Sequence, residues 1–127
     1  MAINFKVIQK GQPGVAGGGE KKYYATPVLD GELTLPELTR AIEKICTVSG
    51  ADILAVLYAM VDVSVDNLAN GTIVRLGELG SLRPTLSSEG KATEAEVSSS
   101  SVKNAGILFA PGTRIKQMLE TVKFKKV

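Results

Sequence analysis

Cationic side chains carry the one chemistry that the residue types of this sequence bring together. Arg114 and Lys116 stand in "GTRIKQMLETV", at the start of an expected helix. Backbone N–H groups without intrahelical acceptors and the helix polarity both favour an anion such as a phosphate there. Lys123, Lys125 and Lys126 extend the same end of the chain. Arg75 and Arg83 flank the two glycines of "GTIVRLGELGSLRPT", and Lys91 and Lys103 fall in the polar stretch after it. The competing reading is plain solvation. Arg75 and Arg83 alternate with apolar residues and can face solvent or pair with Glu78, and Lys123, Lys125 and Lys126 can be a soluble tail.

Catalysis is not supported by the remaining residue types. The chain has no His and no Trp, and its one cysteine, Cys46, follows Ile42 by four positions on an apolar helix face, as a buried small hydrophobe would. The serine run at 98–101 has no base beside it. Asp62 and Asp66, one helical turn apart, read as a solvated acidic face rather than a cation site. "GVAGGGEK" lacks the Gly-Lys-Ser/Thr of a phosphate loop. No group meets the geometric demands of a catalytic site, and no enzyme activity, cofactor, metal or small-molecule substrate is expected.

The elements that position these cations follow from pattern. With 127 residues, 44% apolar and 22% charged, the chain reads as a single domain, 1–127, with an ordinary globular composition. The most apolar window, residues 53–65, is interrupted by Asp62 and is too short for the roughly 20 residues of a membrane span. No secretory signal is read in residues 1–20, and a lone cysteine fits a reducing, cytoplasmic setting. The net charge of +2 hides a segregation. Residues 1–26 carry +3, 27–70 carry −5, 71–100 carry −1 and 101–127 carry +5, so one face of the folded chain can be basic.

Residues 3–8, "INFKVI", alternate as a strand does, "QKGQPGVAGGGEKK" must be a loop, and "YYATPVL" is a second strand, which together predict a hairpin extension over 1–30. Tyr23 and Tyr24, being adjacent, point to opposite faces, so at most one can stack on a base. Over 34–70 a helical hairpin is expected. Thr34, Pro36 and Glu37 form a capping-box start, with an end near Thr47 or Val48. Ser49 and Asp52 start a second helix that stops at Asn70-Gly71. That second helix is apolar on more than one side, which makes a partner subunit a natural neighbour. Residues 71–112 predict a sheet, with a polar segment at about 86–103 that cannot enter a core. A last helix capped by Thr113, with its tail, occupies 113–127.

Gly71, Val74, Leu76, Gly80 and Leu82 in one block, and Phe109, Pro111, Gly112, Ile115, Lys116 and Leu119 in the next, give this order a resemblance to the bacterial histone-like HU/IHF family over about residues 34–122. The resemblance implies an α+β, IHF-like DNA-binding fold. Its parts are a helical hairpin, a three-stranded β-arm region and a C-terminal helix, here preceded by the N-terminal hairpin, in an intertwined homodimer. It implies duplex DNA as partner, held through phosphates and with β-arms in the minor groove, in a nucleoid-associated, histone-like role. Gly77 and Gly80 then serve the bend into the arm. The residues that would meet DNA are Arg114, Lys116, Arg83, Arg75, Lys91, Lys103 and Lys123. The arm itself departs from the family pattern. It sets Lys91 and Lys103 against Glu89, Glu94 and Glu96 and has no proline between Pro84 and Pro111. The alternative is an HU-like structural or protein-interaction module that no longer wraps DNA.

Overall fold

The structure, a computed structural model, describes residues 1–127. In chain order the elements are β1 (Ala2–Lys10), β2 (Lys22–Pro27), α1 (Leu35–Ile45), α2 (Gly50–Ala69), β3 (Val74–Arg75), β4 (Gly80–Ser88), β5 (Val102–Pro111), α3 (Thr113–Thr121) and β6 (Lys123–Lys126). They fall into two compact units, Thr34–Gln117 and Met1–Leu33 with Met118–Val127.

The terminal unit is a three-stranded sheet of order β2-β1-β6. The alternating run at Ile3–Ile8 lies in β1, which pairs antiparallel with β2 from Phe5↔Pro27 to Lys10↔Lys22. "KFKKV", read from sequence as a charged tail, is a strand. β6 pairs parallel to β1 from Ala2↔Lys123 to Phe5↔Lys126, and the amide of Val127 extends the ladder to the Phe5 carbonyl at 3.0 Å. Lys123, Phe124 and Lys125 alternate with the period of a strand, and Lys126 breaks it.

In the other unit the helices start and stop on local signals. The Ser49 hydroxyl accepts from the Asp52 amide at 3.3 Å and caps α2. At the far end Gly71 takes φ +81°, and the Thr72 amide reaches back to the Asn67 carbonyl at 3.0 Å, the arrangement that closes a helix with a left-handed residue. The Thr34 side chain, expected to cap α1, makes no cap bond. One of the two amides a cap residue can serve belongs here to Pro36, which has none. Ser49→Ala should therefore cost about 1 kcal/mol, while Thr34→Ala should cost clearly less, as read by urea unfolding midpoints.

α1 ends at Ile45, earlier than its apolar pattern suggests. Cys46 closes it in an extended conformation, φ −138° and ψ 174°, which breaks the helical period that would carry its thiol onto the face of Ile42. Cys46 is exposed, not buried.

α1 packs on α2, and α2 touches β3 and β4, yet very little is enclosed. Ile53 is the buried hydrophobic side chain of the whole chain, at 6% exposure. At about 100° per residue, Ile53, Ser64, Leu57 and Leu68 form the covered stripe of α2. Val56, Met60 and Val63 lie on one flank of that stripe and Val61, Val65 and Tyr58 on the other, all of them exposed. No helix is long and apolar enough to cross a membrane.

The sheet of this unit has order β3-β4-β5. β4 and β5 run antiparallel from Gly80↔Pro111 to Ser88↔Val102, with an irregularity at Ser87/Ser88 that leaves Lys103 without an opposite residue. Pro84 is tolerated within β4 because β3 pairs only with Ser81 and Leu82, so the strand is an edge beyond them. The segment joining β4 to β5 holds two short turns at Glu94–Glu96 and Ser99–Ser101. It was expected to stay out of any core, but Ser101 is 2% exposed, the most buried side chain in the molecule. The reason is local. Its hydroxyl accepts from the Ser98 amide at 3.1 Å, its own amide donates to the Ser98 carbonyl at 3.0 Å, and its carbonyl accepts from the Glu89 amide at 2.8 Å.

Candidate nucleic-acid interface

Pairing register divides the side chains of β3, β4 and β5 between two faces. Val74, Leu82, Pro84, Phe109 and Ile107 share one, through the pairs Val74↔Leu82, Leu82↔Phe109 and Pro84↔Ile107. Arg75, Ser81, Arg83, Leu108 and Ala110 share the other, through Arg75↔Ser81, Ser81↔Ala110 and Arg83↔Leu108. The first face is apolar, and Pro84 and Ile107 border a hollow with Leu68 and Ala69 of α2. The second places Arg75 and Arg83 on one surface.

A close backbone approach fastens the start of α3 to this second face. The Gly112 amide donates to the Leu79 carbonyl at 3.0 Å, and the Leu76 amide donates to the Gly80 carbonyl at 2.8 Å. A side chain at Gly112 would run into the Glu78 carbonyl oxygen and lie 2.9 Å from the Gly80 nitrogen. Here the spacing of the two glycines finds its cause. Gly77 takes φ +63° with open space around it, whereas Gly80, at φ +148°, lies against the Ala110 carbonyl and the Phe109 ring.

The consequence is a shallow polar hollow. Arg75, Ser81, Thr113, Lys116 and the backbone of Gly77, Gly80 and Gly112 line it, and no carboxylate does. The Lys116 amide donates to the Gly112 carbonyl at 2.9 Å, so Gly112 occupies the cap position. Thr113, expected as the cap, is the first residue of the helix. The amides of Thr113, Arg114 and Ile115 then lack intrahelical acceptors, as in any first helical turn.

The expected cations are distributed unequally. Arg75 and Lys116 meet at the hollow, and Arg83 lies two residues beyond Ser81 on the same strand face. Glu78 pairs with Arg114, at 3.7 Å with side-chain exposures of 68% and 76%, and not with Arg75 or Arg83. Solvent screens so open a pair, and it holds Arg114 only weakly. Lys91 is bound to Glu89 at 3.3 Å within the arm, and Lys103 is at the β5 irregularity. Lys123 belongs to β6, in the terminal unit. The sequence reading missed Ser81, Thr113 and Gly112 as lining residues. It gave Gly77 and Gly80 a bend only, since hydroxyls and glycines carry no charge pattern to mark them.

The profile of the family described as an HU domain fused to wHTH, Ig or a glycine-rich motif, HU-HIG, matches residues 1–126. The chain belongs to the HU-HIG family. The match takes in the N-terminal hairpin as well as the helices and arm, so the HU-HIG frame is longer than the resemblance read from sequence. No curated protein matches this HU-HIG chain. Among solved structures it is similar to a crystal structure of a candidate bacterial DNA-binding protein from Bacteroides vulgatus ATCC 8482. The TM-score is 0.67 at 12% identity, over 100% of this chain and 49% of the other. At that identity the likeness concerns the fold, and the chain spans about half the length of that protein.

Proposed function

We propose that this HU-like chain binds duplex DNA without sequence preference, through its phosphates, as an architectural homodimer of the bacterial cytoplasm and nucleoid. The observation that carries this reading is the hollow where Arg75, Lys116 and the first turn of α3 converge without a carboxylate. Two cations, hydroxyls and free amides are the groups that hold a phosphate. Arg83 extends that surface, and Arg114, Lys103, Lys91 and Lys123 are secondary members. The homodimer is supported by the two exposed apolar flanks of α2, which a second copy would bury. No catalytic step is invoked.

The arm favours a narrower version. Its Lys91 is paired with Glu89, and Glu94 and Glu96 add negative charge without a wedging proline. DNA is therefore held by the body rather than clamped in the minor groove. If the body does not bind either, the fold serves assembly alone.

The test is fluorescence anisotropy of a labelled 30-base-pair duplex (about 100 Å long) across a salt series. Phosphate binding makes the logarithm of affinity fall linearly with that of salt, by about 0.9 per neutralised charge. Replacing Arg75 and Lys116 by Gln should lower that slope by about 2 for each protomer whose hollow meets the duplex. An absence of binding at low salt would overturn the reading.

A further inference from the structure

The lysines of the terminal unit carry a second conclusion, which rests on the DNA-binding reading above. Side chains of paired residues share a sheet face. By the β1–β2 and β1–β6 registers, Lys6, Lys10, Lys22, Lys123 and Lys125 all fall on one face of the sheet. Tyr24 lies on that face as well, and the Lys10 ammonium sits 5.0 Å from the centre of its ring. None of the three strands contains an Asp or Glu. The opposite face bears Ile3, Phe5, Val7, Pro27 and Phe124, with Gln9, Tyr23 and a single lysine, Lys126, at its edges, so the sheet is largely amphipathic.

The lysines also form a line. Lys123 is level with Ala2, Lys125 with Asn4, and Lys10 with Lys22, with Lys6 between. Eight residues of β1 separate the ends, about 27 Å at roughly 3.4 Å per residue. Measured along the duplex axis each strand carries one phosphate per about 3.4 Å, so the line spans about eight base pairs of axis length and meets phosphates of both strands where they cross it.

We infer that this lysine face of the N-terminal sheet is a second phosphate-binding surface, which lies along duplex DNA and meets its phosphates. An anionic membrane fits less well. The apolar members of the face, Ile8 and Tyr24, are half-buried and offer nothing to insert among acyl chains.

The experiment uses the full chain and the labelled duplex in a salt series, with Lys6, Lys10 and Lys125 replaced together by Gln, and separately by Arg. The Gln variant should lower the salt slope by about 2 to 3 for each protomer whose sheet meets the duplex, and weaken binding at 100 mM salt by about 100-fold or more. The Arg variant should keep both. Equal urea midpoints of the two variants would show that charge, and not folding, was lost. If the wild type binds and the Gln variant keeps its slope, while the Arg75 and Lys116 variant loses its own, the sheet is not a DNA surface and the function stands. Absence of wild-type binding overturns both. Wild-type binding to phosphatidylglycerol vesicles but not to duplex, lost in the Gln variant, replaces DNA by a membrane and overturns the inference.

Discussion

Gly80→Ala is expected to destabilise the protein by about 3 kcal/mol or more, enough to unfold much of the population of a marginally stable domain. Two costs add. Gly80 holds φ +148°, a conformation that side-chain-bearing residues adopt at about 1–3 kcal/mol. The new methyl would also collide with the Ala110 carbonyl and lie 2.7 Å from the Phe109 ring. The carbonyl belongs to the β4–β5 ladder through Ser81↔Ala110 and cannot retreat without breaking pairs, so overpacking adds about 1–3 kcal/mol. Gly77→Ala is the control. Gly77 has φ +63° and nothing within 4 Å of the added atom, so strain alone applies, at about 1–2 kcal/mol. Urea unfolding of both variants checks the order. Equal losses would mean that the approach of β5 to the bend is not what Gly80 serves.

If the proposed homodimer buries this flank of α2, Val63→Asp is expected to dissociate the protein or leave it unfolded. In the isolated chain Val63 is 61% exposed and Val56 65%, so if the monomer were the working unit the change would sit within about 0.5 kcal/mol. In a homodimer that buries this flank of α2, each copy would place a carboxylate against apolar side chains without a partner, at about 3 kcal/mol or more per site. The symmetry of a two-fold interface applies the cost twice. Sedimentation equilibrium with a urea series separates the cases. A Val63→Asp chain that sediments as the wild type does and unfolds at the same midpoint would refute burial of this flank.

These two substitutions also show where local pattern stops. The start of α2 at Ser49 and its end at Gly71 were legible, because a cap bond and a left-handed residue involve atoms three to five positions apart. The mixed α+β make-up followed from the order of helical and strand-like blocks. Alternation predicted β1, since one face of a sheet is apolar whatever covers it, and a run of β-prone residues predicted β2.

What the sequence determined by itself, then, was much of what is settled within one helical turn or one strand, with the Thr34 and Thr113 caps and the end of α1 as exceptions, together with the charge excess of the two chain ends. Tertiary structure alone decided the rest. β6 is a strand only because β1, more than a hundred residues earlier, pairs with it. That pairing puts Lys123 and Lys125 on the face of Lys6 and Lys10, where sequence offered a solvated tail. The meeting of Arg75 with Lys116 depends on Gly80 and Gly112 letting two backbones pass in contact, and the pairing of Glu78 with Arg114 lies beside it. Such neighbours are chosen by long-range register and by the absence of a Cβ, and neither leaves a periodic mark in the chain.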